Sequence, residues 1–161
     1  MGWAGFLSVF MQDLPSFEFS TGENLPGLER VIDWFRHLDL PPHMPQLWLE
    51  CETLLAEAFT NAVRHGNLEA EGLPPVLIQL FLHADYLELR VWDSGAGFDL
   101  AAQLAKVEQI NDPYLAHGRG IGLIQDLCDR VAYQSWGDRG NCLVMYKSYV
   151  PKHQEVLPGD A

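Results

Sequence analysis

The sequence predicts a two-layer α+β sandwich, with helices on one face of a mostly antiparallel mixed sheet. Three features predict it. Helix-like and strand-like stretches are interspersed, with no repeat, low-complexity segment or long linker between them. The strands meet largely through short connections, which suit antiparallel pairing rather than the long crossovers of a doubly wound parallel sheet. Finally, 161 residues, 48% of them hydrophobic and 20% charged, suffice for one domain with one substantial core.

In chain order, Pro15 to Ser20 reads as a short strand that points Phe17 and Phe19 to one face. Asn24, beside Glu23 and Pro26, opens a helix to about Leu38, in which Leu28, Val31, Ile32, Trp34 and Phe35 keep a helical period. Leu40 to Pro45 is a stiff connector, because its prolines cannot sit inside a helix. Gln46 to Arg64 is the strongest helix. Its Leu47, Leu54, Leu55, Ala58, Phe59, Ala62 and Val63 recur at helical spacing, and Gly66 stops it at the C′ position.

Val76 to Leu82 and Tyr86 to Trp92 read as a hairpin joined by His83, Ala84 and Asp85. A glycine-bearing turn leads to a weaker helix near Leu100 to Ile110, then a loop from Asn111 to Arg119. Ile121 to Val131 reads as a helix. Ala132 to Trp136 and Cys142 to Val150 close the pattern as two strands around Gly137 to Gly140. The domain therefore spans residues 16–150, between an apolar N-terminal extension (1–15) and a frayed tail (151–161).

Composition narrows the function. Ten basic and 22 acidic side chains give a net charge of −12, a field that opposes general binding to nucleic acid. A nucleotide pocket remains open to such a chain, since backbone N–H groups and a metal can make it locally positive. Cys51, Cys128 and Cys142 are widely spaced and form no C-x-x-C pair, which points to reduced, buried thiols of a cytoplasmic protein rather than disulfides or zinc. No apolar run is long enough to span a membrane. The start, Met1 to Met11, is apolar but lacks the basic opening of a signal peptide and the Ser or Thr at position 6 of a myristoylation pattern. Whether Trp3, Phe6 and Phe10 there lie free, cover the core or meet a partner is left open by the sequence.

Three short elements carry chemistry. In the long helix, steps of four residues set Glu57, Asn61 and His65 along one stripe. Alone, such a stripe is more often a solvated face, but Asn in mid-helix competes with the backbone and needs another reason to be there. An amide oxygen one turn from a carboxylate can ligate a phosphate-bound Mg²⁺ while the carboxylate takes a proton from an incoming hydroxyl. His65, at the helix C-terminus, reads as a capping residue.

The second element is Asp93-Ser94-Gly95-Ala96-Gly97 after a strand. In isolation it reads as a turn; functionally, Asp93 accepts a hydrogen bond from an exocyclic amine while the glycines admit the ring or ribose. The third is Gly118-Arg119-Gly120-Ile121-Gly122-Leu123, opening a helix whose N–H groups suit an anion, although its glycines also serve simple bending. Arg119 reads equally as a phosphate contact or a solvated side chain. Leu123 stands where a dinucleotide fingerprint wants its third glycine, and no P-loop G-x-x-x-x-G-K-S/T occurs.

In this order the three elements resemble the GHKL ATPase superfamily: Glu57 to Gly66 is similar to its N box, Asp93 to Gly97 to its G1 box, and Gly118 to Leu123 to its G2 box. The form Glu57-Ala58-x-Thr60-Asn61-Ala62-x-x-His65-Gly66 most resembles the anti-sigma-factor serine/threonine kinases, as does the compact helix leading to Asp129-Arg130-Val131. The resemblance covers roughly residues 16–150.

It implies a Bergerat-type ATP-binding fold and a kinase that uses ATP and Mg²⁺. Glu57 would be the general base, Asn61 the Mg²⁺ ligand and Asp93 the adenine reader. Gly95 and Gly97 would line the base pocket. Gly118, Arg119, Gly120, Gly122 and Leu123 would meet the phosphates, under a lid from about Leu100 to Arg119. The implied partners are an anti-anti-sigma (STAS-type) substrate and a sigma factor, with a homodimer supported by the resemblance alone and no nucleic acid or membrane. The chain departs from the family at Gly140-Asn141-Cys142, where a Thr usually stands near the adenine; that contact falls to Asn141, to water, or to nothing. The alternative functions are a nucleotide-dependent binding switch with little catalysis, and the catalytic half of a two-component histidine kinase.

Overall fold

The computed structural model describes residues 15–21, 27–42, 44–65, 76–109 and 120–149. Five strands form one sheet: β1 (Ser16–Thr21), β2 (Val76–Leu82), β3 (Tyr86–Asp93), β4 (Arg130–Ser135) and β5 (Asn141–Ser148). Their order is β1-β2-β3-β5-β4, and every pairing is antiparallel. Four helices accompany them: α1 (Gly27–Arg36), α2 (Pro45–His65), α3 (Leu100–Gln109) and α4 (Gly120–Leu127). The two-layer α+β sandwich is thus observed.

The core forms where helical and strand periodicities meet. On α2, Cys51, Leu54, Leu55, Ala58, Phe59 and Ala62 are buried, an apolar stripe repeating every three to four residues. Beneath it lie alternate residues of the central strands: Val76, Ile78 and Leu80, then Leu87, Leu89 and Val91, then Leu143 and Met145. Val31 and Phe35 of α1 and Ile121 and Ile124 of α4 complete the cluster. Phe17 and Phe19 of edge strand β1 pack against its margin from one face, as their spacing predicts.

Element boundaries follow local chemistry. Pro45 begins α2 at a helix's first turn, where its missing N–H costs nothing. The preceding connector is tied down by Trp48, whose Nε1 donates to the Pro41 carbonyl at 2.6 Å. The β2–β3 hairpin closes through His83, whose N–H donates to the Tyr86 carbonyl.

One boundary differs. The sequence runs the α4 helix to Val131, whereas α4 ends at Leu127 and Val131 lies in β4, paired with Met145. The structure captures the chain there: Asp129 N–H donates to the Tyr146 carbonyl, and Lys147 Nζ donates to the Leu127 carbonyl at 2.7 Å. A cation on the last carbonyls favours that end. The expected helix start at Asn24, the stop at Gly66 and the loop Asn111 to Arg119 lie outside the described residues.

Candidate nucleotide site

The last three turns of α2 turn their polar stripe away from the core and into a cavity of about 300 Å³. Glu57, Thr60, Asn61, Arg64 and His65 form one wall; Phe98, Gln103, Gly120 and Ile121 form the others. The stripe and the start of α4 approach closely. A methyl group placed on Gly120 would lie 2.6 Å from Glu57 Oε2, so a larger residue there would push that carboxylate aside.

A second cluster stands at the end of β3. Asp93 is 8% exposed and faces Asn141 across the β3–β5 ladder. Asp93 Oδ1 accepts from the Gly95 N–H at 2.9 Å, the Asx-turn geometry its sequence suggests. The same oxygen accepts from Asn141 Nδ2 at 3.1 Å, and that nitrogen also donates to the Gly95 carbonyl at 2.8 Å. Asn141 is 2% exposed, so its carboxamide knits the turn to the strand from beneath. The backbone crowds around this contact. Gly97 has φ 81°, and an added Cβ would come within 2.9 Å of Asn141 Oδ1. At Gly140, φ is 87° and an added Cβ would stand 2.2 Å from the Asp93 carbonyl.

Phe98 links the clusters. It lines the cavity and packs on Tyr133 with ring centroids 4.1 Å apart. Burial, and then the nearby Asp93 charge, push the Tyr133 phenol above its ordinary range.

Of the residues proposed from sequence, the fold brings Glu57, Asn61 and Gly120 into one cavity, and Asp93, Gly95 and Gly97 into one turn. Gly122 is buried and Leu123 is 37% exposed; neither lines the cavity, because consecutive residues of a helix point in different directions. Gly118 and Arg119 lie outside the described residues. Sequence reasoning passed over Thr60, Arg64, His65, Phe98 and Gln103 as lining residues. Thr60 and Arg64 were detectable, lying three residues after Glu57 and Asn61 on the same face. Phe98 and Gln103 carry no such signal.

The donor set suits a nucleotide. A carboxylate, an amide and an arginine share a cavity of polar character, and a separate buried carboxylate, Asp93, has one oxygen held by two donors.

Residues 28–147 match the histidine kinase-like ATPase domain family. The chain is 31% identical over 139 residues to the anti-sigma F factor of Priestia megaterium, an alignment covering 85% of this chain and 93% of that protein. It is 31% identical over 105 residues to the serine-protein kinase RsbW of Listeria monocytogenes serotype 4a, covering 62% of this chain and 64% of RsbW. With the sensor histidine kinase Hik2 of Thermosynechococcus vestitus it shares 29% identity over 133 residues, 75% of this chain but only 34% of that kinase's length.

Proposed function

The chain belongs to the histidine kinase-like ATPase domain family, and from that premise we propose that it is an anti-sigma-factor-type serine/threonine protein kinase. In this reading it transfers the γ-phosphoryl group of ATP to a serine or threonine of an anti-anti-sigma, STAS-type antagonist, and it sequesters a sigma factor. The observation that carries the reading is the meeting of Glu57 and Asn61 with the start of α4 at Gly120. The relatives named anti-sigma F factor and serine-protein kinase RsbW support it, the first along nearly its whole length.

Each residue has a chemical task. Glu57 receives the proton of the attacking hydroxyl, and Asn61 supplies one oxygen to Mg²⁺. Bound Mg²⁺ contributes charge neutralisation on the phosphates. Asp93, with Oδ1 already held by two donors, offers its other oxygen to the exocyclic amine of adenine. Gly120 and its neighbours present helix N-terminal N–H groups to phosphate oxygens. Phosphoryl transfer asks a protein mainly for positioning and electrostatics, so one base and one metal ligand suffice.

The test is incubation with radiolabelled ATP, Mg²⁺ and STAS-type antagonists, followed by acid treatment of the products. Acid-stable label on a serine or threonine supports the proposal. Acid-labile label on a histidine would assign the chain to the sensor-kinase chemistry of Hik2-like relatives. Nucleotide binding without transfer to any antagonist would leave a binding switch.

A further inference from the structure

The turn after β3 is held by one side chain to which the phosphoryl-transfer chemistry gives no task. Asn141 opens β5 opposite Asp93, the last residue of β3, in the antiparallel ladder. Its Nδ2 donates to two parts of the turn, to Asp93 Oδ1 at 3.1 Å and to the Gly95 carbonyl at 2.8 Å. A primary amide carries two protons on that nitrogen, so both are engaged and neither is left for a ligand. The Gly95 N–H brings a second donor to Asp93 Oδ1 at 2.9 Å. Among the described residues no donor reaches the other oxygen, Oδ2.

The backbone on both sides is shaped to this contact. Gly140, at φ 87°, brings the start of β5 so near Asp93 that an added Cβ would stand 2.2 Å from its carbonyl oxygen. Gly97, at φ 81°, passes the Asn141 carboxamide where an added Cβ would lie 2.9 Å from Oδ1. Both glycines hold left-handed backbone that other residues adopt only with strain. Threonine, the residue usual here in the family that the motifs resemble, has one hydroxyl proton and could serve Asp93 or Gly95 but not both.

We propose that Asn141 is a positioning residue for base selection: it pins Asp93 Oδ1 into the turn, leaves Oδ2 as the acceptor offered to the ligand, and so selects a 6-amino purine over a 6-oxo purine. The proposal rests on the reading of Asp93 as the contact to the adenine amine. A carboxylate free to rotate can turn away from an ill-matched carbonyl and let water between them. One held by two donors keeps an oxygen lone pair set against that carbonyl, which repels it, while an amine is met without further loss of freedom. The same clamp reverses its preference in Asp93→Asn. The two donors on Oδ1 demand the amide oxygen there, so the amide nitrogen takes the Oδ2 position. The reading atom becomes a donor, suited to a 6-oxo base.

The test is calorimetry with Mg²⁺-ATP and Mg²⁺-ITP on the full chain and three variants. The parent should prefer ATP by about tenfold or more. Asp93→Asn should reverse that order. Asn141→Ala should remove most of the preference by weakening ATP, with ITP affinity near the parent's, and Asn141→Thr should keep part of it. Equal weakening of both nucleotides by Asn141→Ala overturns the proposal, because a merely structural prop serves both alike; the adenine reading of Asp93 then survives. Loss of ATP without gain of ITP in Asp93→Asn also overturns the clamp. A parent that does not distinguish the two nucleotides, or Asp93→Asn with unchanged ATP affinity, refutes the adenine reading itself and the proposal with it. Should Asn141→Ala fail to fold, NMR on the parent decides. The Asn141 carboxamide protons should exchange slowly with water, and ATP should shift them more than ITP does. Fast exchange, or equal shifts with both nucleotides, overturns the assignment.

Discussion

At Asp93 two donors meet one carboxylate oxygen, the Gly95 N–H and the Asn141 carboxamide. Asn141→Ala removes a donor from a site almost closed to water. It should cost about 1–3 kcal/mol, read from the urea midpoint, because a buried acceptor left short of its partner carries its desolvation cost alone. Asn141→Thr retains a hydroxyl donor and should lose less; equal losses for the two would mean that the carboxamide's hydrogen bonds matter little. Glu57→Gln keeps the shape of the wall but removes the carboxylate proposed as base. Phosphoryl transfer should fall by about 100-fold or more while calorimetry finds ATP affinity little changed. Transfer at the parent rate would rule out Glu57 as base. The sequence singled out Glu57, Asn61 and Asp93 as candidates because each sits in a local pattern. It left Asn141 undecided, because its partner is 48 residues away and only strand pairing brings them together.

Among the elements, α4 matters most for the site. It holds just eight residues, and its first one abuts Glu57. Gly120→Ala places a methyl 2.6 Å from Glu57 Oε2, so the carboxylate must turn aside. The variant should therefore keep its thermal stability while losing turnover; a fall in both together would instead indicate damage to packing. The α1–α2 contact is braced by Arg36, whose Nε and Nη2 donate to Glu52 at 2.9 and 2.5 Å. The helices were readable from apolar spacing, and the hairpin from its two strand-like runs. The end of α4 was not, because Val131 suits helix and strand alike and its place was decided by the captures at Asp129 and Lys147.

For the whole molecule, one core carries stability. Leu54 lies fully buried at its centre, and Leu54→Ala should cost about 2–5 kcal/mol in urea unfolding, since the emptied space closes only in part. A change well below that range would show that the helix layer repacks freely. Burial also raises the Cys51 and Cys142 thiols from 9.0 to about 12. The folded chain therefore holds these two protons more tightly than the unfolded chain. The stability so contributed is complete below pH 9 and is lost as pH climbs toward 12. Urea midpoints should fall between pH 8 and pH 11, and fall less in a Cys51→Ala, Cys142→Ala chain; parallel falls would assign the effect to other groups.

By itself the sequence determined the layer architecture and named the residues of the candidate site, because hydrophobic period, turn residues and helical spacing are local properties. The tertiary structure decided what touches what. It set Gly120 against Glu57, placed Asn141 beneath Asp93 and ended α4 at Leu127. Each of these depends on residues far apart in the chain, and no local pattern encodes the distance between them.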